Sequence, residues 1–249
     1  MNLIMGASVG LKESDLAPFL QSLAITGYNG EVVIFLPESE RELSEKLSNY
    51  VITQTFEDKL FEYMPIHALR YFLYDEYLKN KQTAYDKIML SDLRDVYFQK
   101  NPFDFDMSGL CVFLEDITIG ACPYNSSWIA TLYNMDTAAS MKDCQVSCSG
   151  ITIGSSLSII DYLSIMRKYL LPPKQIIGYD QGVHNYLLYK GLLTDTHIYT
   201  NGFGPVLTMG YMKSWNKTED DLLADHAGNP VNVIHQYDRH PGVIWKKKE

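Results

Sequence analysis

Two carboxylates follow an apolar run and could together hold a divalent cation. Residues 87–90 have the pattern of a buried strand, and Asp92 and Asp95 come directly after it. Ligands of open α/β sheets bind beyond the carboxyl ends of the strands, and carboxylate oxygens suit Mg²⁺ or Mn²⁺. Such an ion can neutralise the charge on a departing diphosphate. The pattern therefore predicts a metal site, although an ordinary acidic turn would show the same residues.

Two other polar clusters also follow elements that could position them. Asp180 and Gln181 precede a helix predicted over residues 182–189. They could face a substrate, or Asp180 could serve only as the N-cap of that helix. His235 follows an apolar run at residues 231–234, where it could be a ligand or simply a core or surface histidine. His240 and Arg239 lie just beyond and could reach a diphosphate.

The elements that must bring these clusters together indicate an α/β fold. A strand at residues 3–7, a helix starting at Ser14 and a strand at 31–36 form a βαβ unit, which implies a parallel sheet. Further predicted strands lie at residues 50–55, 87–90, 110–113, 145–153, 206–209 and 231–235, and further helices at 57–80, with a break near Pro65, and at 156–170. We expect one domain over residues 1–249, with a mostly parallel central sheet flanked by helices. We also expect one site at the carboxyl ends of the strands that follow Met1, Asp86 and Val231.

Composition narrows the partners and the compartment. The net charge of −9 disfavours nucleic acid, which requires a basic face. The four cysteines lack zinc-ligand spacing and are predicted to be reduced buried thiols. The first residues do not resemble a signal peptide, and the chain contains no run of 18 apolar residues. These features predict a cytoplasmic protein without a membrane span, and the basic residues 246–248 are interpreted as a solvated end.

Residues 86–103 resemble the signature of nucleotide-sugar glycosyltransferases of the GT-A type. In that signature an apolar strand ends in Asp-x-Asp, and a short strand and Asn/Asp-Pro-Phe follow. The proline lies seven residues after the second aspartate, as Pro102 follows Asp95 here. The resemblance therefore implies that Asp95 is a metal ligand. The first aspartate of the signature corresponds to Leu93, so Asp92 is one place out of register and is expected near the metal or the ribose. Arg94 is expected at the phosphates or paired with a carboxylate.

A second block is similar to glycogenin-like and related retaining transferases. Asp180-Gln181 with Asn185 resembles their Asp-Gln block, which lies beside the donor sugar. Residues 148–154 resemble the block that precedes it, where small residues let the backbone approach a sugar. The alternative for this segment is a bulge within a strand. In the same families His235 would be the third metal ligand.

The remaining positions implied by the resemblance lie in the first third of the chain. Arg70 occupies the place of an arginine that contacts the donor, and it is equally compatible with a solvated position on a helix. Gly6, Ala7 and Ser8 would border the base or ribose, and a simple turn is the alternative.

Together these resemblances imply a Rossmann-like GT-A fold and a hexosyltransferase that requires Mn²⁺ or Mg²⁺. It would pass a sugar from a nucleoside-diphosphate sugar, with a UDP-sugar as the first expectation, to a hydroxyl of a glycan acceptor. Transfer would proceed with retention, and Asp180 and Gln181 would be the catalytic pair. One alternative is a non-catalytic domain that binds nucleotide or carbohydrate, which the register of Asp92 suggests. Another is a nucleotidyltransferase, which the absence of a glycine-rich phosphate loop with a lysine near residue 1 disfavours.

Overall fold

A computed structural model describes residues 1–241 and Val243, so the basic segment 246–248 lies outside the described residues. The strands of the described part are β1 (Leu3–Ala7), β2 (Glu31–Pro37), β3 (Ile52–Phe56), β4 (Lys87–Ser91), β5 (Val96–Phe98), β6 (Leu110–Thr118), β7 (Gln145–Ser155), β8 (Thr196–Tyr199), β9 (Val206–Thr208), β10 (Asn216–Lys217), β11 (Leu223–Ala224) and β12 (Val233–His235). The α-helices there are α1 (Glu13–Ala24), α2 (Arg41–Leu47), α3 (Ile66–Asn80), α4 (Pro123–Leu132), α5 (Met135–Ser140), α6 (Ser156–Leu170) and α7 (Tyr179–Tyr189).

Seven of the described strands form the central sheet, in the order β3-β2-β1-β4-β7-β6-β8. Neighbours among β3, β2, β1 and β4 are parallel, as are β6 and β8, whereas β7 runs antiparallel to both β4 and β6. The predicted α/β fold with a mostly parallel sheet is therefore confirmed.

A second, three-stranded sheet corrects one part of the prediction. Strand β12 pairs with β5 and β9 and does not join the central sheet. The strand that follows Val231 therefore brings His235 to the site from a separate sheet. The pairing joins residues far apart in the sequence, since Val233 lies opposite Phe98.

Both faces of the middle of the central sheet are covered, which explains why β1, β2 and β4 are mostly apolar, whereas the edge strands β3 and β8 carry exposed polar residues. Successive side chains of a strand point to opposite faces. Leu3 and Met5 accordingly pack with the helices α3, α6 and α7 on one face. Ile4, between them, packs on the other face with Phe19 of α1 and Phe98 of the small sheet.

The start of one helix differs from the prediction, and a predicted helix break is confirmed. Helix α7 begins at Tyr179 because Gly178 takes the N-cap position with a left-handed φ of 81°, which glycine adopts readily. Asp180 therefore lies within the first turn, and its interpretation as the N-cap is wrong. The predicted break near Pro65 in the helical segment 57–80 is confirmed, since a short 3₁₀ segment Asp58–Glu62 precedes Pro65 and α3 follows it. None of the helices within the described range is long and apolar enough to cross a membrane.

Candidate metal centre

The turn after β4 is held between the two sheets. The backbone N–H of Asp92 donates to the carbonyl of Gly150 on β7 at 2.7 Å. The carbonyl of Asp95 accepts a hydrogen bond from the N–H of Gln236 at 2.8 Å, just after β12. The backbone of Asp92 is thus bound to the central sheet, and the backbone of Asp95 is bound to the segment that follows the small sheet. His235 lies beside both carboxylates.

Asp92, Asp95 and His235 form a cluster whose potential ligand atoms all lie within 4.8 Å of one another. His235 Nε2 is 3.5 Å from Asp92 Oδ2 and 3.7 Å from Asp95 Oδ1, which is too far for hydrogen bonds. Within the described part of the chain this buried nitrogen has no hydrogen-bond partner. Buried polar atoms are normally paired, so an unpaired imidazole nitrogen beside two carboxylates fits a divalent cation.

Gly150 keeps the space between these side chains open. A Cβ atom at this position would lie 2.6 Å from Asp92 Oδ2 and 2.8 Å from His235 Nε2. Any larger residue would therefore displace two members of the cluster. Within the 148–154 segment it is Gly150 that leaves room on β7 for the carboxylate of Asp92 and the imidazole of His235.

Leu93 explains why Asp92 can join the cluster although it is out of register with the GT-A signature. Its side chain is 2% exposed and packs on Gly6 of β1, where an added Cβ would lie 2.7 Å from Leu93 Cγ. Leu93 thus anchors the turn in the core. Asp92 and Asp95 on either side of it both reach His235, so the one-residue offset does not exclude Asp92.

Arg70 joins this cluster to the Asp180 block. Its guanidinium is buried, forms an ion pair with Asp92, and donates to Asp180 Oδ2 at 3.1 Å and to the carbonyl of Ser149 at 3.0 Å. Ser149 Oγ donates to the same Asp180 oxygen at 3.0 Å. The alternative of a solvated helix arginine is therefore wrong, and Asp180 has both a cation and a hydroxyl as partners.

Gln181 lies beside these residues and is only half-buried. Its Oε1 accepts a hydrogen bond from the N–H of Ser149 at 3.2 Å, and its Nε2 donates to Asn125 Oδ1 at 3.3 Å. The amide is thus oriented from both ends, at the point where α7 and α4 meet β7.

Burial and mutual proximity shift the pKa values of all three cluster residues. For Asp92, burial raises the pKa, but the charges of Arg70 and His235 outweigh it and the pKa lies below the ordinary value. For Asp95, burial raises the pKa and His235 only partly offsets it. For His235, burial alone would lower the pKa, but the neighbouring carboxylates Asp95 and Asp92 raise it well above the ordinary value. The cluster therefore attracts positive charge, and a metal ion that displaces the proton of His235 would satisfy it.

Two residues behind His235 were not found by sequence reasoning. Cys148 Sγ lies 3.6 Å from His235 Nδ1, the nitrogen that faces away from the carboxylates. Burial raises the pKa of Cys148 to about 11, so it is a neutral thiol at pH 7. Glu115 on β6 is 2% exposed, and burial raises its pKa. In the sequence nothing distinguishes Glu115 from the adjacent Asp116, and Cys148 was predicted as a buried thiol but not as a neighbour of His235.

The other predicted positions have partners of their own. Arg94 Nη2 pairs with Asp238 Oδ2 at 3.2 Å, which matches the expected pairing with a carboxylate. His240 Nε2 is hydrogen-bonded to the carbonyl of Met209 at 2.7 Å. Ala7 ends β1, and the N–H of Ser8 donates to the carbonyl of Phe35 at 2.9 Å, so this segment continues the central sheet.

A scan against protein-family models matches no family, and a search of curated proteins finds no relative of the chain.

Proposed function

We propose that the chain is a metal-dependent glycosyltransferase of the GT-A type that uses a nucleoside-diphosphate sugar, with a UDP-sugar as the first expectation. One observation carries this proposal. Three segments far apart in the sequence, at Asp92–Asp95, at Asp180–Gln181 and at His235, meet at one place, and Arg70 connects them. The chain's net charge of −9 also means that a diphosphate requires a local source of positive charge.

Asp92, Asp95 and His235 are the residues that would hold Mn²⁺ or Mg²⁺. The bound ion supplies positive charge for the diphosphate that leaves during transfer. Carboxylates suit both cations, and the imidazole favours Mn²⁺ because Mg²⁺ takes oxygen ligands almost exclusively.

Asp180 and Gln181 would line the reacting face of the donor sugar. The carboxylate of Asp180 is engaged by Arg70 and Ser149. This arrangement fixes its position and makes it poorly suited to take a proton from an acceptor. Gln181 is held at both ends of its amide and is partly exposed, so its dipole can face positive charge that develops on the sugar ring.

This arrangement favours retention at the anomeric carbon. In a retaining transfer the acceptor oxygen approaches on the side of the leaving group. The bond from the anomeric carbon to the phosphate oxygen breaks, the bond to the acceptor oxygen forms, and the acceptor's proton passes to the departing phosphate oxygen. No side-chain base is then required, which agrees with the engaged state of Asp180. The acceptor is a hydroxyl of a glycan.

The test combines binding with turnover. Thermal unfolding is measured with UDP, with and without Mn²⁺, and a panel of UDP-sugars is then assayed for hydrolysis and for transfer. We expect UDP to raise Tm only when Mn²⁺ is present, beyond any rise that Mn²⁺ gives alone, and turnover that EDTA abolishes. Full activity in excess EDTA would contradict the metal role, and binding without turnover across the panel would indicate a non-catalytic nucleotide-binding domain. NMR of the product's anomeric configuration decides between retention and inversion.

A further inference from the structure

We propose that an aromatic rim formed by Tyr124, Trp128 and Tyr211 is the subsite that binds a carbohydrate acceptor chain. The inference rests on the proposed function, since it assigns the second substrate of the same site. It depends on three observations: the connection of α4 to Gln181, the fixed position of Trp128, and the exposure of the two tyrosines.

Helix α4 is connected directly to the face that would carry the donor sugar. Asn125, in its first turn, is 2% exposed and accepts a hydrogen bond from Gln181 Nε2 at 3.3 Å. Asn125 Nδ2 in turn donates to Cys122 Sγ at 3.2 Å. The start of α4 is therefore linked to Gln181, the residue that would face the donor sugar, by a hydrogen bond from a buried asparagine.

Two glycines on α7 fix the position of Trp128. A Cβ at Gly178 would lie 2.6 Å from Trp128 Cη2, and one at Gly182 would lie 2.8 Å from Trp128 Cβ. These glycines lie on either side of Asp180 and Gln181 along the chain. The indole is thus seated against the start of α7, so a ligand that contacts it loses little side-chain entropy on binding.

The two tyrosines extend this surface toward solvent. Tyr124 is 64% exposed, and its ring centroid lies 6.0 Å from that of Trp128, one helical turn away. Tyr211 is 39% exposed, and its hydroxyl lies 3.7 Å from Cys122 Sγ at the N-cap of α4. Tyr124 thus extends the surface of Trp128, and Tyr211 contacts the same cysteine that Asn125 binds.

The chemistry of this rim matches a neutral sugar chain. Aromatic faces contact the C–H faces of a pyranose, while tyrosine hydroxyls and side-chain amides bind its hydroxyl groups. None of the five side chains, Tyr124, Asn125, Trp128, Gln181 and Tyr211, is that of an acidic or a basic residue. A phosphorylated or nucleic-acid ligand would instead require cationic groups.

The first experiment compares Tyr124→Ala and Tyr211→Ala with the wild type in transfer from a UDP-sugar to linear tetrasaccharides of glucose, N-acetylglucosamine, galactose and mannose. Tyr50→Ala is the matched control, because Tyr50 is 76% exposed and lies before β3, in a different part of the fold. We expect each rim variant to raise KM for the acceptor by about tenfold, as the loss of one aromatic contact implies. KM for the UDP-sugar should change far less. An unchanged acceptor KM in both rim variants would overturn the proposal.

A second measurement separates this inference from the proposed function, because it requires no turnover. Saturation-transfer NMR is recorded with the same tetrasaccharides on the wild type, on the Tyr124→Ala/Tyr211→Ala double variant and on Tyr50→Ala. We expect a signal from at least one tetrasaccharide that is lost only in the double variant. If this holds while no UDP-sugar is turned over, the transferase proposal fails and the carbohydrate site stands. If UDP-sugars are turned over while no tetrasaccharide binds the wild type, the aromatic rim is not an acceptor site.

Discussion

Asp180 Oδ2 lies 3.1 Å from a guanidinium nitrogen of Arg70, although 110 residues separate the two in the sequence. Because the same guanidinium also pairs with Asp92, one buried cation connects helix α3, the turn after β4 and the start of α7. The proposed metal and sugar sides of the site are therefore parts of one network of charges.

Asp95→Ala should abolish Mn²⁺ binding and turnover while leaving the protein folded. It removes a proposed ligand, so the loss of affinity should exceed the roughly 10–100-fold that partners outside the ligand shell contribute. Its pKa is raised by burial, so the native state gains little from its charge. Mn²⁺ binding is followed by electron paramagnetic resonance, and folding by circular dichroism. Asp143→Ala, an exposed position, is the control. Wild-type Mn²⁺ affinity in Asp95→Ala would rule out this residue as a ligand.

Gly150→Ala should weaken Mn²⁺ binding without altering any ligand. The added methyl group would lie 2.6 Å from Asp92 Oδ2, so the carboxylate and the imidazole must move apart. Gly154→Ala on the same strand is the matched control, since its Cβ would meet Gly109 and Ile159 instead. Titration with Mn²⁺ should separate the two variants. Equal affinities would mean that the cluster does not require the space above Gly150.

Arg70→Met should lower the free energy of unfolding by about 3–5 kcal/mol, because it leaves the Asp180 carboxylate buried without its cation. Arg41→Met serves as the control, because Arg41 forms an exposed ion pair with Glu45, and such pairs are worth about 1 kcal/mol or less. Urea denaturation measures both. A loss for Arg70→Met as small as that of the control would show that Arg70 is dispensable for stability.

His184 should make the protein less stable as the pH falls. Burial, reinforced by Arg70, lowers its pKa from 6.5 to about 3. Between these values the unfolded chain binds a proton that the native state does not, so stability is lost with falling pH, by at most about 1.4 kcal/mol per pH unit. The difference in unfolding free energy between wild type and His184→Gln should therefore narrow from pH 7 to pH 4. Parallel pH curves for wild type and His184→Gln would contradict the shift.

Gln181→Ala should lower the transfer rate while leaving UDP affinity almost unchanged, because the amide would face the sugar and not the diphosphate. Asp180→Asn should lose more, since it also weakens the contact with Arg70. Single-turnover kinetics and UDP titration separate the two effects, with Gln54→Ala on the exposed part of β3 as the control. A large loss of UDP affinity in Gln181→Ala would place this residue at the nucleotide instead.

Much of the fold followed from the sequence because its signals are local. The strand at residues 3–7 and the helix at residues 156–170 have the bounds that were predicted. The apolar run before Asp92 ends close to where β4 ends. Asp92 and Asp95 could be placed together because both follow the same buried strand. His235 was added to them by the resemblance to the transferase families, and it reaches them from a different sheet.

The parts that could not be predicted depend on contacts between distant residues. Strands near residues 206–209 and 231–235 were predicted from their apolar runs, but their assembly into a separate sheet was not. The pairing of β12 with β5 joins residues more than a hundred positions apart, and no local pattern shows it. Helix α4 has few apolar residues at helical spacing. Its N-cap is Cys122, which is not one of the residue types that signal a helix start. The contact between Cys148 on β7 and His235 on β12 joins the two sheets, and no local spacing in the sequence indicates it.

His235 reaches Asp92 and Asp95 from the small sheet, whereas those residues follow a strand of the large one. A cation bound by all three would therefore fasten one sheet to the other, and its binding free energy would add to their docking. At a hundredfold excess over Kd this addition is about 2.7 kcal/mol. Removal of the cation should allow residues 206–235 to detach from the rest of the molecule before either sheet unfolds. The rate of proteolysis in that region should therefore rise as the cation concentration falls.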